Sequence, residues 1–159
     1  TVADTKYDAF HIGLAGIKNL LEYTDYFFPS YDEAAYLSGM EKPEDIAAFF
    51  ADKGARYVGI KLGGQGCYLL TDKFSGIIPA FPGKVVDTTG AGDNFMAGLI
   101  HGILKGWEIQ DCALYANAAG TLAISRLGAT SNEEYPEHIK EILLRTPQGV
   151  RLLREVFEI

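Results

Sequence analysis

The sequence has little cysteine, a deficit of positive charge and no basic cluster. Cys67 and Cys112 are the only cysteines among 159 residues. They do not have the spacing of a metal site, and one pair is weak evidence for a disulfide framework. We therefore expect two buried free thiols in a reducing compartment. Lys and Arg number 14 against 21 Asp and Glu, for a formal net charge of -7. This charge argues against nucleic acid or an anionic membrane as a partner.

Long apolar runs and two familiar phosphate motifs are also absent. No stretch is apolar for long enough to cross a bilayer, and no basic-then-apolar signal peptide is present, so a cytoplasmic protein is expected. There is no Gly-x-x-x-x-Gly-Lys-Ser/Thr motif. The Rossmann pattern that begins at Gly90 and Gly92 meets Phe95 where its third glycine belongs. That mismatch disfavours a dinucleotide-binding oxidoreductase, although this class stays open.

The remaining composition is that of a folded α/β domain. Hydrophobic residues make up 48% and charged residues 22% of the chain, so we expect one ordered domain spanning residues 1–159. Residues 1–4 resemble the end of a strand that begins upstream. Strand patterns, turns and helical patterns then alternate, which favours a layered α/β sheet. The predicted strands are 26–28, 56–62, 67–71, 76–79 and one ending at Val86. The predicted helical segments are 10–23, 30–39, 43–53, 90–104, 109–126, 136–145 and 150–157.

A glycine-rich turn at 87–95, with the sequence DTTGAGDNF, is the most informative segment. It leads into apolar residues at helical spacing, so Gly90 to Asp93 are predicted to start a helix. Backbone N–H groups at a helix start lack intrahelical partners and the helix dipole is positive there, which suits a phosphate. The Asp93 carboxylate would repel phosphate but could take a proton from an attacking hydroxyl. A plain turn with a capping Asp is the alternative.

The string at 87–95 closely resembles the C-terminal signature of the ribokinase-like, or PfkB, carbohydrate kinases. The resemblance covers nearly the whole chain up to about Asn132. It implies a layered α/β/α fold with a mostly parallel sheet, and transfer of a phosphoryl group from ATP to a hydroxyl of a small sugar, with Mg²⁺ bridging the ATP oxygens. It also implies that Asp93 is the general base. The anion hole would be formed by the N–H groups of Gly90, Ala91, Gly92 and Asp93.

Two further segments match the family around the nucleotide. Ser30 and Glu33 correspond to its Pro-Asn-x-x-Glu segment, which acts near the phosphates and magnesium; here Ser30 replaces the Asn. The same two residues also fit an ordinary Ser-x-x-Glu capping box. Lys61, Gly63 and Gly66 resemble the strand and glycine turn that contacts the nucleotide phosphates, with Lys61 where Thr is frequent. A polar strand end and hairpin glycines are the alternative.

The segment from Asn117 to Ala129 resembles the helix and loop that edge the adenine pocket and a potassium site in many family members. Asn117 would face the nucleotide. Small residues here would also permit close helix packing. The residues that the resemblance assigns to the potassium site are Asp87, Thr89, Ala123, Arg126, Gly128 and Asn132. Asn132 stands where a hydroxyl is more usual, although oxygen ligands do suit a hard cation.

The resemblance finally implies that sugar-binding strands and a lid lie upstream of Thr1, in a protein about twice as long. This chain alone is then expected to be an inactive fragment, and a homodimer formed through the lid belongs to the longer protein. The acceptor, a sugar or a nucleoside, is not specified. A non-catalytic nucleotide-binding regulatory module also stays open.

Overall fold

A computed structural model describes residues 1–5, 12–128 and 135–157. The chain divides into two compact units, Thr1–Ile78 and Pro79–Ile159. The first part of the predicted amphipathic segment 10–23 and the predicted potassium ligand Asn132 lie outside the described residues. The single domain expected from length and composition stays a prediction.

The first unit is built on a mixed sheet of five strands. In sequence and in space the order is β1 (Val2–Ala3), β2 (Tyr26–Phe27), β3 (Tyr57–Lys61), β4 (Cys67–Leu70) and β5 (Ser75–Ile78). The first three strands are parallel, whereas β4 and β5 are each antiparallel to the strand before them. The carboxyl ends of β1, β2 and β3 therefore meet at the same end of the sheet, where open α/β sheets bind ligands.

Helices pack on this sheet through a continuous apolar core. A 3₁₀ turn at Gly13–Gly16 precedes α1 (Lys18–Leu21), and α2 (Tyr31–Ser38) and α3 (Pro43–Asp52) follow β2. The helix α3 begins with proline at its first turn, where the missing N–H costs nothing. The core residues of this unit are Leu21, Phe27, Ala34, Ile46, Ala47, Phe50, Ala55, Val58 and Ile60.

Among its described residues, the regular elements of the second unit are all helices. Its helices are α4 (Ala91–Leu104), α5 (Ile109–Ile124), α6 (Tyr135–Leu143) and α7 (Pro147–Phe157). Glycines let α4 and α5 approach closely. A Cβ added at Gly98 would lie 2.9 Å from the Ala119 Cβ, and one at Gly102 would lie 2.8 Å from the Cys112 Sγ. This tight packing fixes the axis of α4 and with it the position of the helix start.

The predicted strand ending at Val86 is wrong. The described part of segment 79–90 contains no strand, and Val85 and Val86 are 61% and 49% exposed. The Val86 and Asp87 N–H groups instead donate to the Ile124 carbonyl, at 2.7 and 3.3 Å. A β-branched pair favours extended backbone, but a strand also needs a partner strand, and these donors bond to the end of α5.

Of the predicted helical segment 10–23, the described residues form only the 3₁₀ turn Gly13–Gly16 and the four-residue α1. The other predicted helices and strands that fall within the described residues are present, with ends shifted by a few residues. The α/β class inferred from their alternation is therefore confirmed. The described helices include none that is both long enough and apolar enough to cross a membrane.

Candidate functional site

The start of α4 has an unusual backbone. Gly90 is the N-cap residue and has a φ of 75°, in the left-handed region that favours glycine. Within the described parts of the chain, no side chain caps this helix. The Asn94 N–H closes the first turn on the Gly90 carbonyl at 2.9 Å, and the Asn94 side-chain amide donates to the same oxygen at 2.8 Å. The helix start is thus formed by backbone geometry rather than by a capping side chain.

Three N–H groups at this helix start have no acceptor among the described residues. The Ala91 N–H donates to the Thr88 carbonyl at 3.2 Å. The described residues offer no hydrogen-bond acceptor to the N–H groups of Gly90, Gly92 and Asp93. These donors lie at the positive end of a helix of 14 residues, an arrangement that binds anions without a Lys or Arg.

Asp93 adds a carboxylate beside these donors. It is the third residue of α4, is exposed, and is the acidic residue of the first turn. A carboxylate in this position cannot also bind an anionic phosphate, because like charges repel. It can accept a proton from a hydroxyl group that approaches the anion. The predicted general base and the predicted anion hole are therefore neighbours.

Asp87 joins the segment before α4 to the loop after α5. Its Oδ1 accepts the Thr89 N–H at 2.9 Å and its Oδ2 accepts the Gly128 N–H at 3.1 Å. The hydrogen bond from the Thr89 backbone is the largest cause that lowers the pKa of the Asp87 carboxyl below its ordinary value. Three members of the predicted potassium set, Asp87, Thr89 and Gly128, are thereby brought together.

The remaining members of that set give mixed support. The Ala123 carbonyl accepts the N–H groups of Ser125 and Arg126, the second at 3.4 Å. Both Asp87 carboxylate oxygens and the Ala123 carbonyl are therefore already engaged in hydrogen bonds. Arg126 is half-buried. The arrangement is a joined pair of loops, and the assignment of these residues to potassium stays a prediction.

Asn117 contacts the chain itself. It is 5% exposed on α5, and its Nδ2 donates to the Pro79 carbonyl at 3.2 Å. One turn further along, the Thr121 hydroxyl donates to the Phe81 carbonyl at 3.5 Å. A Cβ added at Gly83 would lie 2.8 Å from the Thr121 Cγ2. These contacts hold the segment that begins at Pro79 against α5. The prediction that Asn117 faces a nucleotide stays untested.

In the first unit, Ser30 and Glu33 lie together at the start of α2. The Glu33 Oε2 accepts the Ser30 N–H at 3.3 Å and the Ser30 hydroxyl at 2.6 Å. The Thr5 hydroxyl donates to the same oxygen at 3.1 Å. The capping box that the sequence offered as an alternative is therefore present. Its three donors are neutral, so the Glu33 carboxylate is oriented but its charge is not compensated by them.

Lys61 lies beside this pair, at the end of β3. Its N–H donates to the Pro29 carbonyl at 3.0 Å, and it forms a parallel bridge with Ser30. Its ammonium forms an ion pair with the Asp4 carboxylate, with the Lys61 and Asp4 side chains 12% and 28% exposed. Burial raises the pKa of the Asp4 carboxyl above its ordinary value, and Lys61 opposes this rise without cancelling it.

The predicted turn after Lys61 is confirmed as a tight 3₁₀ turn. Gly63 and Gly66 have φ values of 57° and 100°, which L side chains rarely adopt. The Leu62 N–H donates to the Gly66 carbonyl at 2.8 Å and closes the hairpin between β3 and β4. This backbone need is sufficient to require glycine at both positions, and their predicted contact with phosphate remains to be tested.

Asp4 and Thr5 are the residues of this cluster that the sequence analysis missed. They directly follow β1, and the carboxyl ends of parallel strands meet at one end of a sheet. From this rule the sequence could have placed Asp4 and Thr5 near Lys61 and Ser30. Within the described residues, no group of three or more His, Cys, Asp or Glu could hold a metal ion. Mg²⁺ in phosphoryl-transfer sites is bound by one or two carboxylates together with substrate phosphates and water, so Glu33 fits such a site.

Comparison with known proteins identifies close relatives of this chain. The pfkB family carbohydrate kinase model matches residues 3–135. A 2-dehydro-3-deoxygluconokinase from Bacillus subtilis (strain 168) is 41% identical over 113 residues, which is 70% of this chain and 35% of the relative.

Solved structures give the same result for the fold. An aminoimidazole riboside kinase from Salmonella enterica, complexed with aminoimidazole riboside and an ATP analog, matches with a TM-score of 0.75 and 30% identity over 82% of this chain and 46% of its own. A putative ribokinase II from E. coli, in complex with ATP and Mg²⁺, matches with a TM-score of 0.73 and 32% identity over 83% and 43%. The chain spans less than half the length of these relatives. It has a ribokinase-like α/β fold and belongs to the pfkB family of carbohydrate kinases.

Proposed function

We propose that the protein uses ATP to phosphorylate a hydroxyl group of a small sugar or sugar derivative. The observation that carries this proposal is the start of α4, where the N–H groups of Gly90, Gly92 and Asp93 have no acceptor among the described residues. The Asp93 carboxylate is exposed beside them. Donors for a phosphate and a base for the attacking hydroxyl are the two groups that phosphoryl transfer requires.

The chemical step follows from this arrangement. The acceptor hydroxyl gives its proton to the Asp93 carboxylate as its oxygen attacks the γ-phosphorus, and ADP leaves with the electrons of the broken P–O bond. The free N–H groups stabilise the negative charge on the phosphoryl oxygens in the transition state. They are fixed before the substrate arrives, because α4 is packed closely on α5 through Gly98 and Gly102. Positioning therefore supplies most of the catalysis.

The first unit supplies the residues for the nucleotide phosphates and their metal ion. Glu33 would hold Mg²⁺, which when bound neutralises charge on the ATP oxygens. Lys61 would attract phosphate as a point charge, and Gly63 and Gly66 would let the backbone approach it. The E. coli putative ribokinase II binds ATP and Mg²⁺, which supports this assignment by similarity. Asn117 at the adenine and a potassium ion near Asp87 remain further predictions of the same proposal.

Two kinds of acceptor fit the relatives. The B. subtilis relative is named for a sugar acid and the S. enterica relative for a riboside, so the acceptor is either a sugar or a nucleoside. A regulatory module that binds ATP without turnover is the second candidate. It is favoured by the observation that the Ser30 hydroxyl is bonded to Glu33 and the Lys61 ammonium is paired with Asp4, so that neither is left open for a ligand.

ATP consumption with Mg²⁺ against a panel of sugars, sugar acids and nucleosides tests the proposal. The chain should be expressed at the full length of its reading frame. We expect turnover that depends on the acceptor, and a kcat lowered by about 10²- to 10⁴-fold in Asp93→Asn, as expected for loss of a general base.

Asp45→Asn is the matched control, because Asp45 is also an exposed acid at the third position of a helix. It should leave kcat unchanged. Tight ATP binding with no turnover on any acceptor would contradict the kinase proposal and favour the regulatory module.

A further inference from the structure

We propose that Asp4 is a positioning residue that holds the Lys61 ammonium away from Glu33, so that the Glu33 carboxylate keeps its negative charge for the magnesium ion of ATP. This inference rests on the proposed function, in which Glu33 holds Mg²⁺. Neither Asp4 nor its neighbour Thr5 belongs to the signature segments of the sequence.

Three parallel strands bring these groups together. Asp4 and Thr5 follow β1, Ser30 follows β2, and Lys61 ends β3. Glu33 enters from the first turn of α2 and contacts both Thr5 and Ser30. Asp4 is adjacent in sequence to Thr5, whose hydroxyl donates to the Glu33 Oε2 at 3.1 Å. One lysine thus lies close to two carboxylates.

The lysine pairs with only one of them. Lys61 forms its ion pair with Asp4, and across the described residues no ion pair joins Lys61 to Glu33. Glu33 instead receives the neutral donors Ser30 N–H, Ser30 hydroxyl and Thr5 hydroxyl. Within the described cluster, the Lys61 charge therefore compensates the Asp4 carboxylate, whereas the Glu33 carboxylate has only neutral donors. Only the second is electrostatically suited to a divalent cation.

When the charge of Asp4 is removed, Lys61 should pair with Glu33 instead. The Lys61 side chain is only 12% exposed, and a charge so far removed from water needs an oppositely charged partner. Lysine has a long flexible stem, so its ammonium can reorient towards Glu33 when Asp4 becomes neutral. The Glu33 charge would then be compensated within the protein, and its affinity for Mg²⁺ would fall.

A series of four variants tests the inference: Asp4→Asn, Lys61→Met, the double variant Asp4→Asn with Lys61→Met, and Glu33→Gln. The first readout is calorimetric titration with ATP at a series of Mg²⁺ concentrations, which needs no turnover. The second is the Mg²⁺ dependence of kcat. We expect Asp4→Asn to raise the Mg²⁺ midpoint of ATP binding about tenfold, the lower end of the effect of groups that orient metal ligands. Glu33→Gln should raise it at least as much.

The double variant separates positioning from a merely structural role. With no lysine left to compensate Glu33, its Mg²⁺ midpoint should return to that of Lys61→Met, and the rise caused by Asp4→Asn should disappear. Three results would each overturn the inference. The double variant could keep the raised Mg²⁺ midpoint of Asp4→Asn, the midpoint of Asp4→Asn could equal that of the wild type, or ATP binding by the wild type could be independent of Mg²⁺. Thermal unfolding of every variant identifies loss of the fold.

Failure of the proposed function has a different signature. If no acceptor supports turnover but the Mg²⁺ midpoints follow the expected order, the role of Asp4 stands and the kinase proposal fails. If acceptor-dependent turnover is present and the midpoints do not move, the kinase proposal stands and the role of Asp4 fails.

Discussion

The helices α2 and α4 start in opposite ways, and the difference bears on the function proposed for the start of α4. The N-cap of α2 is Ser30, in extended backbone, and a capping box with Glu33 satisfies the helix start. The N-cap of α4 is Gly90, in the left-handed region and without a side-chain cap. The first arrangement satisfies the helix start with side-chain hydrogen bonds. The second leaves backbone donors without an acceptor among the described residues, as the proposed anion hole requires.

The uncapped start of α4 is stabilised elsewhere. A missing cap typically costs about 0.5–2 kcal/mol. Close packing of Gly98 and Gly102 against α5 offsets this cost, and the Asp87 carboxylate ties the preceding segment to the Gly128 N–H. Tertiary contacts can therefore stabilise a helix whose start lacks a side-chain cap.

Substituting the glycine that makes α4 different should give the largest effect. In Gly90→Ala the added Cβ disfavours the φ of 75°, so the turn that sets the free N–H groups should shift. We expect kcat to fall by about 10²-fold, similar to losing a preorganised oxyanion donor. The free energy of unfolding should fall by about 1 kcal/mol.

Gly39→Ala provides the control for backbone strain. Gly39 ends α2 with a φ of 71°, and a Cβ there would meet nothing within 4 Å. It should lose the same stability and keep full turnover. Equal turnover in the two variants would show that the backbone at Gly90 has no catalytic importance. Urea denaturation and steady-state kinetics supply the two measurements.

Removing the cap of α2 should have an intermediate effect, which is measured as a loss of stability. Ser30→Ala deletes the hydroxyl that donates to the Glu33 Oε2 at 2.6 Å. The free energy of unfolding should fall by about 1 kcal/mol, the usual cost of losing a cap. Urea denaturation measures this loss. A change below the error of that measurement would mean that the capping box does not stabilise α2.

Asp87→Asn should give the smallest effect and one that depends on pH. The folded-state pKa of the Asp87 carboxyl is lowered. Its charged form therefore stabilises the fold above the ordinary Asp pKa, and this contribution is lost as the pH falls through the folded-state value. In Asp87→Asn, the side chain keeps only one acceptor oxygen for the N–H groups of Thr89 and Gly128.

Urea denaturation of wild type and Asp87→Asn from neutral pH to about pH 3 measures this contribution. The two proteins should differ in free energy of unfolding at neutral pH, and this difference should shrink as the pH falls. A difference that stays constant across that range would contradict the assignment of the lowered pKa to these hydrogen bonds.

The two helix starts also show what the sequence could reveal. Both were predictable, because a capping box and a glycine turn before helical spacing are local patterns of a few residues. Local pattern also suggested the strand ending at Val86, and there it failed. Whether an extended segment becomes a strand depends on a partner elsewhere in the chain, and the Val86 N–H bonds to the end of α5.

Side-chain pairs between residues far apart in the sequence were the second feature that the sequence did not predict. Asp4 and Lys61 are 57 residues apart, and their pairing follows only from the order of the parallel strands. The same holds for Asn117, whose bond with the Pro79 carbonyl spans 38 residues. Residue type and spacing identified Lys61 and Asn117 as candidates, but their partners depend on the tertiary fold.

Backbone amide NMR during titration with a non-hydrolysable ATP analogue and Mg²⁺ tests the central claim most directly. The claim is that the free N–H groups of Gly90, Gly92 and Asp93 bind phosphate. Their ¹H and ¹⁵N shifts should change in one saturable step, while the amides at the start of α3, Glu44 and Asp45, stay unchanged. Saturable shifts elsewhere in the protein, with these three amides unmoved, would contradict the claim.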